Sequence, residues 1–387
     1  MKTTSMTSQI TLYDKKTIDK IVWPSNISRH EKDYLLTVLK NQPGSVIKNA
    51  IADFYLLKVD DQMIPLTICD FIPKNTYLVS AYTQYVSYTI EELFVIKNPF
   101  IRKIAALILN ALGKILNAGK IDKCIHVNNW LFPTNIYSPL SKEQVKSITQ
   151  FLISTFPQHA ILFRTLNFIT DPSIINNLQK NNYFLIGSRQ IHILLREKLK
   201  EFQHRKPTDL KRDEKILRDS KYDVMEDKLT QQDILRMKEL YDSLYLDKHS
   251  YLNPQYTTEF IGFLANNSMF NIKRLKKANK IDAFIGCLSR NNITYAPLFG
   301  YDTNQPAKMG LYRMLSAIKI NFAIENDTVL HSSAGAGGFK RHRGHVSAPE
   351  YHAVYTAHLS IGRRRVWSLL KWIVNHIGMP LIKRYDT

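Results

Sequence analysis

A glycine-rich turn in the C-terminal third of the chain carries the most specific chemical signal. It reads SSAGAGG over residues 332–338. Glycine has no Cβ, so consecutive backbone amides can turn toward one anion or oxyanion. The turn follows a predicted strand, and ligands of α/β sheets bind at the carboxyl ends of strands. We predict that Gly335, Gly337 and Gly338 contact an anionic group. The alternative is a tight turn between a strand and a helix.

Basic residues follow this turn directly. Lys340, Arg341 and Arg343 stand within four positions of one another. A lysine in this place can neutralise a phosphate or stabilise a developing oxyanion. We predict these roles for Lys340, with Arg341 contacting the same anion; the alternative is a solvated basic surface. As a solvated side chain, Lys340 should contribute little to folding stability.

The next segment offers groups that could accept or donate a proton. His331 and Glu350 are the predicted bases, and Tyr351 or Tyr355 is the predicted acid. In a strand, successive side chains point to opposite faces, so Glu350 and Tyr351 should not both face one cleft. His352 shares the face of Glu350, and a structural role is the simpler interpretation for it.

Metal and thiol chemistry have little support in the sequence. Cys69, Cys124 and Cys287 stand far apart and without C-x-x-C spacing. This pattern argues against a cysteine-built zinc site and a disulfide framework, and it fits a reducing cytoplasm. No His, Asp and Glu cluster has the spacing of metal ligands, and no G-x-S-x-G motif is present. We therefore predict no metal.

Composition bounds the class of protein. The 387 residues predict two domains, and 44% hydrophobic with 22% charged residues is typical of a globular chain. The first residues lack a signal-like apolar run and no segment is long enough to span a membrane, so we expect a cytoplasmic protein. The formal charge of +20 should attract anions: nucleic acid, anionic lipid or a phosphorylated cofactor.

Alternating strands and helices must position these residues. In the N-terminal half, periodicity and composition predict strands and helices in this order: strands at 51–61, 63–72 and 76–88, a helix at 100–119, a strand at 124–132, a helix at 141–156, a strand at 160–167, a helix at 171–183 and a strand at 184–195. In the helix at 100–119, Ile101, Ile104, Ile108, Ala111 and Ile115 share one face.

The C-terminal half repeats much of that order. We predict a strand at 222–227, helices at 230–246 and 255–265, an antiparallel meander over 270–302, a helix at 307–326, a strand at 328–335 and a final strand at 350–359. The charged stretch around 197–221 contains Pro207 and predicts a linker or a solvated helix. The predicted domains are 1–196 and 222–362, followed by a basic amphipathic helix at 363–387.

The order of elements resembles that of the GNAT acyltransferases. The segment 281–359 resembles this fold best, and FKRHRG followed by PEYHAVYTAHL is similar to the tail of the GNAT-like acyltransferases related to Fem-type peptidyltransferases. The Phe-Lys pair of that tail corresponds to Phe339 and Lys340. The N-terminal half resembles a second, diverged copy. The resemblance implies an α/β fold with two GNAT-like domains, each a mixed, mainly antiparallel sheet flanked by helices.

One segment departs from the GNAT pattern. GNAT enzymes bind the cofactor pyrophosphate with an Arg/Gln-x-x-Gly-x-Gly/Ala segment at a helix N-terminus. Here YDTNQPAKMGLYRM spans 301–314, with different spacing and without the second glycine. We predict that Gln305, Lys308 and Gly310 take the cofactor-binding role. Acyl-CoA is the expected co-substrate, with aminoacyl-tRNA or a carrier-bound acyl group as alternatives.

The C-terminal helix at 363–385 allows two interpretations. Its apolar stripe, its tryptophans and its six Lys or Arg residues without an acid fit peripheral contact with an anionic membrane. The simpler interpretation is a helix that packs on its domain and keeps its basic ends in water.

Two functions of different class remain open at this point. The first is an N-acyltransferase that moves an acyl or aminoacyl group from an activated anionic donor to an amine. The second is a noncatalytic protein that binds nucleic acid or a membrane surface on a degenerate GNAT scaffold. The basic residues are spread along the chain without the interleaved aromatic residues of an RNA-binding motif, which disfavours nucleic acid.

Overall fold

A computed structural model describes residues 8–385, and these residues alternate between strands and helices. Within them, the strands are β1 (Ile10–Tyr13), β2 (Asp53–Val59), β3 (Gln62–Cys69), β4 (Cys124–Val127), β5 (Ala160–Leu166), β6 (Phe184–Leu194), β7 (Asp223–Met225), β8 (Phe270–Lys277), β9 (Lys280–Arg290), β10 (Ile293–Tyr301), β11 (Val329–His331) and β12 (Val346–Tyr355). The predicted mixed α/β class is confirmed.

The α-helices connect these strands and cover the sheets. They are α1 (Arg29–Asn41), α2 (Pro43–Val46), α3 (Tyr88–Glu91), α4 (Pro99–Ala118), α5 (Lys142–Thr155), α6 (Pro172–Lys180), α7 (Arg196–His204), α8 (Thr208–Asp219), α9 (Gln231–Asp242), α10 (Thr258–Asn266), α11 (Leu311–Glu325), α12 (Gly337–Arg341), α13 (Ile361–Ile373) and α14 (Met379–Arg384). No helix among the described residues is long and apolar enough to span a bilayer.

The chain divides into two units, and the division differs from the predicted domains. The first unit comprises the described residues up to Arg189 together with Pro349–Tyr385, and the second comprises Gln190–Ala348. The boundaries therefore fall inside β6 and β12 rather than in the charged stretch 197–221. The C-terminal helix predicted at 363–387 belongs with the first unit as far as Tyr385, and residues 386–387 lie outside the described residues.

The first unit contains a mixed sheet in the order β1-β2-β3-β4-β5-β12. Its first four strands are antiparallel, β4 and β5 are parallel, and β12 is antiparallel to β5. Two apolar clusters hold it together, one with β2–β5, α5 and α6, and one with α4, α13 and parts of β4 and β5. The strand that closes this sheet comes from the C-terminal end of the chain.

The second unit repeats this order as β7-β8-β9-β10-β11-β6. β7 to β10 are antiparallel, β10 and β11 are parallel, and β11 is antiparallel to the end of β6. Two-residue turns at 278–279 and 291–292 connect the meander, with all four residues in the left-handed region that such turns require. The meander predicted over 270–302 is confirmed.

Two predicted segments differ from the structure. Residues 76–88, predicted as a strand, form helical turns, because the buried Asp122 accepts hydrogen bonds from Ser80 Oγ (2.8 Å) and from the Tyr82 amide (2.7 Å) and so anchors the start of a helix. Residues 197–221, predicted as a linker or a solvated helix, form α7 and α8, which bury Leu199 and Leu210. Apolar side chains at helical spacing outweigh the charged composition of this stretch.

Candidate functional site

The parallel strands of the second unit open after three paired residues. Ile293 to Tyr295 of β10 pair with Val329 to His331 of β11. Beyond that pair β11 ends, while β10 continues and shifts its register with β9 between Tyr295 and Leu298. The carboxyl ends of these two strands therefore diverge, which creates the kind of position where α/β sheets bind ligands.

The glycine-rich turn continues from β11 at this opening. Ser333, Gly335 and Ala336 have φ values of 57°, 75° and 50°, so three residues of the turn lie in the left-handed region. Gly335 and Ala336 are exposed. A non-glycine residue in this region costs about 1 kcal/mol, so the turn needs contacts that hold it.

Lys340 supplies those contacts. Its Nζ donates to the carbonyl oxygens of Ser332 (2.7 Å), Ser333 (3.2 Å) and Ala334 (2.8 Å), and the residue is only 5% exposed. The expectation of a solvated lysine is therefore wrong. Lys340 folds back from α12 and fixes the turn, and its contact with a donor phosphate or oxyanion stays a prediction.

A serine and a histidine complete the support of this turn. Ser332 Oγ lies 2.9 Å from His345 Nε2, and His345 Nδ1 lies 2.9 Å from the Lys340 carbonyl oxygen. A carbonyl only accepts, so Nδ1 carries the proton and Nε2 accepts from the Ser332 hydroxyl. Sequence reasoning missed His345, although its place in the HRGH run close to Lys340 was a usable signal.

Acidification should weaken folding through His345. Burial, and next the charges of Lys319 and Lys340, hold the pKa of His345 well below its usual value. Below pH 6.5 the unfolded chain takes up a proton that the folded chain refuses, so stability falls with pH by up to about 1.4 kcal/mol per pH unit for this group.

The measurement is urea unfolding between pH 5 and 8. Below pH 6.5, the free energy of unfolding of the His345→Gln variant should depend on pH less steeply than that of wild type, by the equivalent of about one proton. His204→Gln, an exposed histidine of the same unit, should keep the wild-type slope. An unchanged slope in His345→Gln would contradict the prediction.

The helix after β10 begins close to the same turn. Gly310 is buried, has a φ of 71° and stands at the N-cap of α11, and no described side chain caps this helix. The Tyr312 ring lies 4.9 Å from that of Phe339, which places the first turn of α11 beside α12. Lys308 is exposed and Gln305 is partly exposed in the preceding loop. The structure thus brings the start of α11 and the glycine-rich turn to one region.

A buried carboxylate joins the helices around this region. Asp213 of α8 is fully buried and accepts from Arg313 of α11 at 2.6 Å and from two nitrogens of Arg343, one of them at 3.0 Å. The Arg343 guanidinium also lies 3.3 Å from the centre of the Phe339 ring. Arg343 is therefore a structural residue rather than a solvated cation. Asp213 lies in the stretch predicted as a linker, which is why sequence reasoning missed it.

The other residues of the second unit that were predicted to take part in the site lie on or beside α12. Gly337 is buried and Gly338 is partly buried at the start of α12, and Arg341 is exposed at its end. His331 is 3% exposed, and its Nδ1 accepts from the Ser333 amide at 3.2 Å. In the neutral ring Nε2 then carries the proton, so His331 presents a donor at that nitrogen rather than the predicted base.

Glu350 and Tyr351 belong to the first unit, which differs from their predicted place in the C-terminal half. Glu350 is fully buried, and both of its oxygens accept from Arg189, each at 2.8 Å. Burial alone would lower the pKa of Arg189, but the Glu350 charge and hydrogen bond outweigh it and raise that pKa. Both oxygens of the predicted base Glu350 are therefore engaged in an ion pair within the first unit. Tyr351 packs on Phe168 with 5.8 Å between ring centres.

The corresponding opening of the first unit is filled by its own chain. After β4, the segment 128–137 passes over the end of β5: the Asn135 amide donates to Thr165 Oγ1 at 2.9 Å, and the Tyr137 hydroxyl donates to the Arg164 carbonyl at 2.6 Å. Trp130 and Phe132 of this segment are buried. In the second unit, by contrast, Gly335 and Ala336 of the glycine-rich turn are exposed.

No group of three His, Cys, Asp or Glu side chains is arranged to hold a metal ion in the part of the chain that the structure describes. The cysteines at 69, 124 and 287 are buried thiols. Burial raises the pKa of Cys287 to about 12, so this thiol stays protonated at neutral pH.

Comparison with solved structures finds similar folds at very low sequence identity. A tandem GNAT protein from the clavulanic acid biosynthesis pathway is 7% identical, with a TM-score of 0.42 over 90% of this chain and 98% of that one. FemX is 9% identical, with a TM-score of 0.44 over 59% of this chain and 79% of that one. L-PGS from Bacillus licheniformis is 14% identical, with a TM-score of 0.41 over 59% and 77%.

Among the solved structures of similar fold are this tandem GNAT protein and a GCN5-related N-acetyltransferase from Kribbella flavida, which bear the name of the group that the sequence resembles. No protein-family model and no curated protein sequence matches the chain.

Proposed function

We propose that this chain is an N-acyltransferase that moves an acyl or aminoacyl group from an activated, anionic donor to an amine. The reaction takes place at the opening between β10 and β11 in the second unit. One observation carries the proposal: this opening combines diverging parallel strands, a fixed glycine-rich turn and an uncapped helix N-terminus. The equivalent opening of the first unit is filled by residues 128–137.

The start of α11 binds the anionic part of the donor. Backbone amides of a first helical turn attract negative charge, and α11 has no described side-chain cap to occupy them. Gly310 begins this helix in the left-handed region, and a Cβ at this position would meet Ile216 at 3.1 Å. Lys308 adds an exposed positive charge in the turn before the helix. These residues fit a phosphorylated donor such as acyl-CoA, which when bound supplies a thioester that an amine can attack.

The glycine-rich turn orients the reacting carbonyl. As the amine attacks, a C–N bond forms and the carbonyl oxygen becomes negative; the bond to the leaving group then breaks, and the leaving group takes up the proton that the nitrogen loses. Donors fixed before the reaction stabilise the negative oxygen most effectively. The backbone amides of the turn are the donors that the chain offers here. Lys340 acts through the turn, because its ammonium holds the conformation of the carbonyls that face it.

Donor binding should stabilise the folded chain. A donor at about a hundred times its dissociation constant should add roughly 2.7 kcal/mol, which gives a visible rise in the melting temperature. The measurement is thermal unfolding with acetyl-CoA, longer acyl-CoA, free CoA and aminoacyl-tRNA. Lys308→Ala should weaken donor binding about threefold to tenfold. Lys228→Ala, an exposed lysine of the same unit, should not change it.

The outcome also identifies the donor. A shift with CoA compounds that Lys308→Ala reduces supports acyl-CoA, whereas a shift with aminoacyl-tRNA alone supports an aminoacyl donor at the same site. No shift and no transfer to amines with any of them would overturn the acyltransferase proposal in favour of the noncatalytic alternative.

A further inference from the structure

Helix α4 exposes an apolar face that no described part of the chain covers. Phe100 is 71% exposed, Leu107 is 62% exposed and Ile108 is 61% exposed. The α4 surface, as we call it, consists of these three residues with Ile101, Ile104 and Ile115, all exposed. Sequence periodicity places most of them on one helix face, which would normally turn toward a core. Here that face turns toward solvent.

The opposite face of α4 is fixed against the first unit. Leu112 and Leu116 are buried in an apolar cluster with Trp367 and Leu370 of α13. A Cβ at Gly113 would lie 2.7 Å from the Tyr82 hydroxyl, so the helix packs closely against the first unit there. The α4 surface lies on the side away from this packing, and exposed apolar side chains gathered on one helix face mark an interaction site.

The charges around this surface indicate what kind of partner it can bind. Residues 93–121 contain five Lys or Arg residues and no Asp or Glu. The adjacent segment 361–385 contains six Lys or Arg residues and again no acid. Arg363 of α13 joins the two segments by donating to the Gly119 carbonyl at 3.2 Å. A second copy of the chain would bring like charges together, whereas an anionic surface would be attracted.

We propose that the α4 surface docks on a membrane that contains anionic lipid. Its aliphatic and phenylalanine side chains enter the boundary between headgroups and acyl chains, while the flanking lysines and arginines contact lipid phosphates. The helix lies in the plane of the interface and does not cross the bilayer, in accord with its charged residues. This surface is separate from the β10–β11 opening, and the proposal does not depend on acyl transfer.

Vesicle co-sedimentation of the full chain tests the proposal. Wild type should bind vesicles with 30 mol% phosphatidylglycerol in phosphatidylcholine about tenfold or more tightly than pure phosphatidylcholine vesicles, and added salt should weaken this binding. Leu107→Glu/Ile108→Glu should reduce binding about a hundredfold, since each substitution replaces an inserting group by a repelled charge. Both positions are exposed, so folding should persist, and circular dichroism checks this.

The control is Leu235→Glu, which introduces the same charge at an exposed leucine of α9. It should bind vesicles like wild type. Three outcomes would overturn the proposal: no binding to anionic vesicles, equal binding to neutral vesicles, or equal losses in the double variant and the control. A wild-type dimer that the double variant dissolves, without vesicle binding, would also overturn it and assign the α4 surface to a second copy.

Discussion

Replacing Asp213 by alanine should lower the free energy of unfolding by about 3–5 kcal/mol, because it leaves a buried cation without its partner. Asp213 is fully buried and Arg343 is 4% exposed, so water cannot replace the lost carboxylate. Arg313 of α11 loses its contact as well. Chemical denaturation of the variant gives the value directly.

Two variants make this expectation specific. Asp209→Ala removes a more exposed carboxylate of the same helix, which pairs with Arg212 at 3.1 Å, and should cost less than about 1 kcal/mol. Asp213→Ala/Arg343→Met removes the stranded charge and should recover part of the loss. If Asp213→Ala and Asp209→Ala lower the free energy of unfolding equally, then the buried ion pair contributes no more to stability than the exposed one.

Replacing Lys340 by methionine should reduce acyl transfer about a hundredfold and also lower stability by roughly 1–3 kcal/mol. Methionine keeps the length of the side chain but removes the ammonium donor from the carbonyls of Ser332 and Ala334, while the Ser333 carbonyl keeps its bond from the His192 amide. The left-handed turn between β11 and α12 then loses the group that fixes it, and the oxyanion donors lose their orientation. Transfer kinetics and urea unfolding measure the two effects.

Arg341→Met is the matched control, since it removes the next cation along the chain from an exposed position. It should leave folding unchanged. If Lys340 contacts donor phosphate instead, Lys340→Met should lose donor affinity while the turnover number stays near wild type. If Lys340→Met keeps the transfer rate, the donor affinity and the stability of wild type, then Lys340 neither fixes the turn nor takes part in the site.

The local elements were well predicted, and the reason lies in short-range chemistry. Ser141 and Thr230 each begin a helix with a capping box, in which a side chain and a backbone amide three residues apart satisfy each other. Asn291 and Asn292 tolerate the left-handed conformation that a two-residue turn needs. Such signals act within a few residues and can therefore be recognised in the sequence.

Residues 76–88 are a segment whose composition alone does not predict its secondary structure. Their β-branched and aromatic side chains favour a strand locally, but tertiary contacts can override such a preference. Asp122, more than thirty residues away, stabilises the helical conformation, because its oxygens accept hydrogen bonds at the start of the helix. Burial raises the pKa of Asp122 to about 6. Similarly, the apolar face of α4 was visible in the sequence, but the sequence did not show that this face turns outward.

Four features can be recognised from the residues alone: the alternation of strands and helices, the resemblance to GNAT acyltransferases, the positive charge and the place of the glycine-rich turn. The strands that close each sheet become known only from the folded chain, in which β12 pairs with β5 and the end of β6 pairs with β11. That pairing moves Glu350 into the first unit and leaves His331 and Lys340 in the second. Strand pairing over such separations depends on burial and register across the whole sheet, and no local pattern of residues encodes it.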